Sequence, residues 1–200
     1  VGIDSLGCNR LVVVQSILLG NRSLGLRVGA STRQYRIVNN VINGNGQSSG
    51  GYGVSIAATV SGLFSYNPIL NKGEKGVDGG AVRCEMGGTS TRTVANSIVI
   101  QNAMSTRVDA SGQPLGSQFA GDCRLTRIVV GIDGTVVTPP SEGLIRAIPD
   151  LDQSLRLINT PNNRMYVIDK GIGDETVRSD HFGGGRPKGD GYDLGAHELR

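Results

Sequence analysis

The densest chemistry in this chain lies in one short segment. Lys72, Glu74, Lys75, Asp78 and Arg83 all fall within Asn71–Arg83. A Lys or Arg poised near its operating pH can abstract a proton. A neighbouring Arg or a bound Ca2+ can neutralise a carboxylate beside the reacting carbon. Together these are the parts needed for elimination across an acidic polymer. The same composition belongs to any solvated connector, so the five residues are carried forward as ligand-binding candidates and no catalytic residue is assigned.

The remaining titratable groups point away from catalysis. Asp150 and Asp152 are the only close acidic pair flanked by apolar residues, and their setting reads as the cap of a turn or a helix start. A Ser-His-Asp set could be assembled with His181 or His197, but no G-x-S-x-G elbow accompanies them. No H-E-x-x-H, EF-hand or glycine-aspartate calcium repeat occurs, so no metal site and no resident cofactor is expected; Ca2+ enters only with the elimination chemistry. Despite 31 Gly there is neither G-x-G-x-x-G nor a P-loop.

Charge excludes further classes. Twenty basic against 17 acidic residues give a net charge of +3, too balanced for a dedicated nucleic-acid binder. No apolar stretch reaches the ~20 residues a membrane-spanning helix needs; the longest, Leu11 to Leu19, is broken by Gln15 and Ser16. The chain starts at Val1 without a leader-like segment, as expected of a processed product or an excised domain. Cys8, Cys84 and Cys123 contain no C-x-x-C pair. In an oxidising compartment Cys84–Cys123 is the preferred disulfide, and a loop of that length stabilises by roughly 4 kcal/mol in the chain-entropy model. Three free buried thiols are the open alternative.

The elements that must carry these residues announce themselves as a repeat. Leu11–Asn21 (LVVVQSILLGN) and Tyr35–Asn45 (YRIVNNVINGN) match in residue class at an offset of 24. The pattern returns at Leu63–Asn71 and Val94–Asn102, which spaces Gln15, Asn39, Asn67 and Asn96 by 24, 28 and 29. A shorter element follows each of the first three, with Gly25, Gly53 and Gly80 at its head. The elements are aliphatic and β-branched, and Gly, Asn and Ser connect them, so they read as strands joined by tight turns. Recurrence every 24–29 residues predicts a parallel β-solenoid in which like residues stack over like. A narrow aliphatic interior also accounts for a chain with five Tyr, three Phe and no Trp. An antiparallel sandwich is the competing fold, but it gives no reason for a long-period register.

From about Gln118 the repeat fades into four ordered segments: Ile148-Pro-Asp-Leu-Asp152, Arg164–Gly171, Asp180–Pro187 and Gly191–Glu198. This set resembles the C-terminal region of bacterial secreted right-handed parallel β-helix proteins of the pectin-lyase-like, choice-of-anchor type. Their tails carry D-P-x-L, S-P-A-I-D-x-G, D-x-x-G-x-x-R-P and a terminal D-I-G-A-Y/F-E. Asp193-Leu-Gly-Ala-His-Glu198 matches the last, with His197 in place of an aromatic. Ile168, Asp169 and Gly171 match the second, although Arg164-Met165 replaces its Ser-Pro. Asp180, Gly183, Arg186 and Pro187 match the third. The resemblance covers roughly residues 80–200 and implies a fold far more than an activity.

The expectations are therefore these. The fold is all-β, a right-handed parallel β-helix of about four rungs over residues 1–120. A last-rung extension and irregular capping segment occupy 121–200. Asp169, Asp180, Asp193 and Glu198 pair with Arg186 and Arg164 to pin that cap, because an uncovered last strand would pair with other chains. The function expected is non-catalytic: a secreted or cell-surface bacterial domain for adhesion, glycan contact or assembly. Its partner is a polysaccharide, or another protein at the open N-terminal rung. The alternative is a fragment of a polysaccharide lyase or glycoside hydrolase.

Overall fold

The computed structural model describes residues 1–46, 52–57, 61–70, 80–86, 92–100, 118–131 and 141–199. Lys72, Glu74, Lys75 and Asp78 lie outside this set. Over the described residues the chain is nearly all β, with parallel sheets and one short helix.

The chain passes repeatedly over the same ground. The first pass holds β1 (Ile3–Ser5), β2 (Arg10–Val14) and β3 (Ile17–Leu19); the second holds β4 (Leu26–Val28), β5 (Gln34–Val38) and β6 (Val41–Asn43). The third holds β7 (Tyr52–Ile56), β8 (Ser61–Ser65) and β9 (Pro68–Leu70), and the fourth β10 (Gly80–Cys84), β11 (Arg92–Ala95) and β12 (Ile98–Ile100). A fifth pass, β13 (Phe119–Gly121) and β14 (Cys123–Val130), continues both sheets across the expected 120/121 boundary. β15 (Ser141–Arg146) pairs along β14, and α1 (Pro161–Tyr166) lies in the tail. One sheet runs β1-β4-β7-β10-β13; the other runs β2-β5-β8-β11-β14-β12-β9-β6-β3, with β15 on β14.

Registration explains the aliphatic pattern. Val13 pairs with Ile37, Ile37 with Phe64, Phe64 with Val94 and Val94 with Leu125. All five side chains are buried. Leu26, Val54 and Val82 do the same on the other sheet. Stacked rows of this kind form the main core, and its burial is the chief stabilising term. The offset between passes grows from 24 (Leu11 to Tyr35) to 27 (Tyr35 to Gly62), then 30 (Leu63 to Thr93) and 31 (Val94 to Leu125).

That growth corrects the sequence alignment by one residue. The left-handed corner falls at Gln15, Asn39, Tyr66, Asn96 and Arg127, with φ of 48°, 57°, 56°, 46° and 52°. Asn67 does not belong to this row. It stacks instead with Ser16, Asn40 and Ser97 in a buried polar ladder. Asn40 Oδ1 accepts the Ser16 amide at 3.0 Å, Asn67 Oδ1 accepts the Asn40 amide at 2.9 Å, and Ser97 Oγ accepts the Asn67 amide at 3.1 Å. Each Asn also donates back to the preceding pass, Asn40 to Val13 O and Asn67 to Ile37 O, both at 2.9 Å. A second ladder joins Asn21 to Asn45. Gly80 likewise pairs with Tyr52, so Ala81 rather than Gly80 stands level with Gly53.

Cys84 and Cys123 are disulfide-bonded, with Cα atoms 5.2 Å apart, and tie the fourth pass to the fifth. Gly121 opposes Cys84 at φ +78°, and a Cβ there would overlap the Cys84 carbonyl oxygen, so the approach that permits the bond needs glycine.

The tail runs along the flank, where the left-handed corners turn main-chain polar groups sideways and the tail supplies their partners. Gly195 N–H donates to Asn96 O at 2.8 Å, Asn96 Nδ2 donates to Ile172 O, and Tyr66 Oη donates to Ile172 O at 2.7 Å. His181 Nδ1 lies 3.0 Å from Asn39 O and so carries the proton, while Gln15 Nε2 donates to Asp180 O at 2.7 Å. Apolar residues follow the same path. Leu157, Val167 and Leu194 pack on Leu70, Ile98, Ile100 and Val129, and Val177 packs on Val38 and Tyr66.

Candidate functional site

Three regions carry groups that could act on another molecule: the tail cluster, the row through Arg83, and the first pass.

The tail brings together five of the six residues expected to pin it: Asp169, Asp180, Arg186, Asp193 and Glu198. Arg186 Nη1 lies 2.9 Å from Glu198 Oε2, with both side chains fully buried. Arg186 also donates to Asp193 O at 3.0 Å and Gly195 O at 2.6 Å, and its guanidinium stacks 4.3 Å from the Tyr66 ring centroid. Asp180 accepts from Phe182 N, Gly184 N and Glu198 N. Asp193 accepts from Asp169 N and Leu199 N, and Asp169 accepts from Gly191 N. Arg164 is not part of this cluster; it is bonded to Asn159 on the surface. Asp152 caps a turn through Ser154 N and Arg156 N. Asp150 accepts from the hydroxyl of Thr160, the N-cap of α1.

Burial sets the electrostatics of the cluster. Desolvation pushes Glu198 up to about 7 despite Arg186, and raises Asp193 as well. The same desolvation lowers Arg186 despite Glu198. Burial also lowers His197, whose Nδ1 accepts the Leu157 amide at 3.1 Å. The carboxylate oxygens of Asp180, Asp193 and Glu198 are taken by protein donors, whereas Asp169 is exposed; His181 and His197 are separated by the Phe182 ring, 4.8 and 5.3 Å away. Such a cluster locks a tail in place; it leaves no side for a substrate. Sequence reasoning missed Lys188, whose Nζ lies 3.9 Å from Asp180. It also missed Tyr66 as a stacking partner and Arg92, a buried arginine paired with Asp122. Nothing in their local sequence marks these roles.

Arg83 is exposed on β10. It belongs to a row running Asp4, Arg27, Ser55, Arg83 and Ala120 across the five-stranded sheet. Arg27 is held bidentately by Asp4 at 2.7 and 2.6 Å. Tyr52, Glu85 and Met86 line a shallow depression beside Arg83. Among the described residues no His, Cys, Asp and Glu cluster could hold a metal ion.

The first pass is unlike the others. β1, β2 and β3 each end a sheet path, so each pairs on one side only. Beside the exposed Asp4 and Arg10, four outward side chains of β2 and β3 are apolar and exposed: Val12 is 49% exposed, Val14 41%, Ile17 61% and Leu19 64%. The equivalent positions deeper in the stack, such as Val38, Ile98, Ile100 and Val129, are buried under the tail. A contiguous aliphatic patch beside an unpaired strand edge marks a contact surface.

Compared with protein-family models, curated proteins and solved structures, the chain matches none. Among the described residues no helix is long and apolar enough to cross a membrane.

Proposed function

We propose that this chain is a non-catalytic domain, built as a parallel β-helix of the secreted pectin-lyase-like type, that works by contact at its first pass. One observation carries the reading: the aliphatic row Val12, Val14, Ile17 and Leu19 stays exposed on β2 and β3, each of which pairs along one edge only among the described residues. The solenoid reading draws support from two parallel sheets visited alternately on each pass, with polar and aliphatic ladders in constant register. A disulfide is consistent with an oxidising compartment, hence with a secreted or cell-surface bacterial setting. The inward saturation of the buried carboxylates supports a structural role for Asp180, Arg186, Asp193 and Glu198, and the bonds of Asp169 to Asp193 and Gly191 support one for Asp169.

The test is incubation of the chain with alginate, pectin and glycosaminoglycans, with and without Ca2+, followed by ultraviolet absorbance of unsaturated uronates and by reducing-end release. The expected result is no product with any polymer. Product formation that depends on Arg83 overturns the reading in favour of a lyase, and reducing ends without unsaturation overturn it in favour of a hydrolase.

A further inference from the structure

We propose that His197 is an acid-sensitive pin: residues 150–158 form a flap of the cap, and protonation of His197 releases that flap while the main core stays folded.

The flap is a turn with its own internal bonds. Leu151 and Leu157 form an antiparallel bridge, Asp152 N–H donates to Arg156 O at 2.9 Å, and Asp152 Oδ1 accepts from Ser154 N–H and Arg156 N–H. Its base is fixed to α1 through Asn163, which accepts from Asp150 N–H and donates to Asp150 O and Ile158 O. Its other end meets the terminal segment. Leu157 N–H donates to His197 Nδ1 at 3.1 Å, and the Arg156 guanidinium lies 4.2 Å from the Phe182 ring centroid. Phe182 in turn makes edge contacts with both His181 and His197. Beneath the flap, Leu157 belongs to the apolar cluster of Leu70, Ile98, Ile100 and Val129.

An imidazole nitrogen accepts a hydrogen bond only while it lacks a proton. The Leu157 amide on Nδ1 therefore fixes neutral His197 as the Nε2–H tautomer. Protonation turns Nδ1 into a donor facing a donor, and the bond is lost outright. Of the charged groups facing His197, Asp180 favours the cation, whereas Lys188, Arg156 and Arg186 oppose it. Glu198, next in sequence, is engaged by Arg186 and by the Lys188 and Asp193 amides. His181 lies across Phe182, and its Nδ1 donates to Asn39 O in either charge state, so acid breaks nothing there. Arg156 sits on the flap itself, so the repulsion acts on the same element that the lost bond frees. Burial holds docked His197 below its ordinary 6.5, and an open flap returns the ring to water. Opening therefore gains a proton as pH falls below 6.5 and is favoured there. The bonds within the flap and at its base do not involve His197, so the opening is local.

The test is hydrogen exchange of the full chain, read by nuclear magnetic resonance at single amides from pH 7.5 to 5 and corrected for intrinsic rates, with parallel titration of the His197 ring nitrogens. The expected result is an Nε2–H ring at pH 7.5 and protection of the Leu157 amide that falls by up to tenfold per pH unit below 6.5, the limit for one linked proton. The Ile37 and Val94 amides of the main core should not follow it. His197→Asn places an oxygen acceptor close to the Nδ1 position and takes up no proton, so it should hold Leu157 protection flat across the range. Protection of Leu157 that ignores pH, a His197 titration that leaves it unchanged, or loss in step throughout the core each overturns the proposal. So does a pH dependence that survives in His197→Asn; should that variant not fold, the titration of the unmodified chain decides by itself.

Discussion

Asn67→Ala is the sharpest probe of how the passes are held in register. Asn67 is fully buried, and its carboxamide bridges two passes: Oδ1 accepts the Asn40 amide and Nδ2 donates to Ile37 O. Truncation leaves the buried Asn40 N–H without a partner, at about 1–3 kcal/mol, and removes the Nδ2 bond to Ile37 O, at about 0.5–1.5 kcal/mol, although that carbonyl stays in the β5–β8 ladder. Asn40 Nδ2 also loses its 3.0 Å bond to Oδ1 but keeps Val13 O. The sum is about 1.5–4.5 kcal/mol, a large part of the ~5–15 kcal/mol that holds a typical domain together. The molecule contains its own control. At the equivalent place in the next pass Ser97 Oγ accepts an amide, so Asn67→Ser restores one of the two bonds and should cost about half as much. Guanidinium denaturation followed by far-ultraviolet circular dichroism gives the ranking, and hydrogen exchange at the Asn40 amide locates the loss. An alanine cost under about 1 kcal/mol, or equal costs for Ala and Ser, would refute the ladder as the source of register.

Glu198 makes stability depend on pH with a definite sign. Its folded pKa of about 7 lies above the ordinary 4.5, so the folded chain holds the proton more tightly. This contribution is fully present below pH 4.5 and is lost as pH rises through about 7, by about 3 kcal/mol; denaturation midpoints across that range should decline, and Glu198→Gln should flatten most of the slope. His197 acts in the opposite sense, because its lowered folded pKa makes stability fall as pH drops below 6.5, and His197→Gln should remove that acid limb. Arg186→Met strands a buried carboxylate and two carbonyls and should cost about 3–5 kcal/mol, with hydrogen exchange accelerating first in residues 167–198. Cys84→Ala/Cys123→Ala should lower stability by about 4 kcal/mol, measured against the parent under non-reducing conditions.

The first two passes are legible in sequence because 24 residues separate them without insertion, and class-for-class matching finds them. The third pass misled the alignment for a physical reason. Its left-handed corner is Tyr66, a residue type whose preferences give no hint of positive φ. Tyr66 is held there by its hydroxyl bond to Ile172 O and by the Arg186 guanidinium over its ring. With an Asn next in line, the carboxamide pattern slid by one residue onto Asn67. The fifth pass was missed as a full pass for the same cause, since its corner is Arg127 and carries no Gly or Asn. In the tail, acidic residues and Arg186 could be read as a set because charges in a Gly-rich segment need partners. Which base joins them is decided by the path of the chain, and that path selects Lys188 and leaves Arg164 at the surface. The four charged residues of the 72–78 segment lie outside the described residues, and Arg83 stands in a row with Arg27 and Asp4.

Aliphatic ladders alone tolerate slippage, because one Val or Ile stacks on another nearly as well at a neighbouring position. A buried amide does not tolerate it. Shifting one pass by two residues would keep its inward row inward but leave the Ser16, Asn40 and Asn67 amides without acceptors. The polar ladder therefore selects the register and the aliphatic rows supply the bulk of the stabilisation.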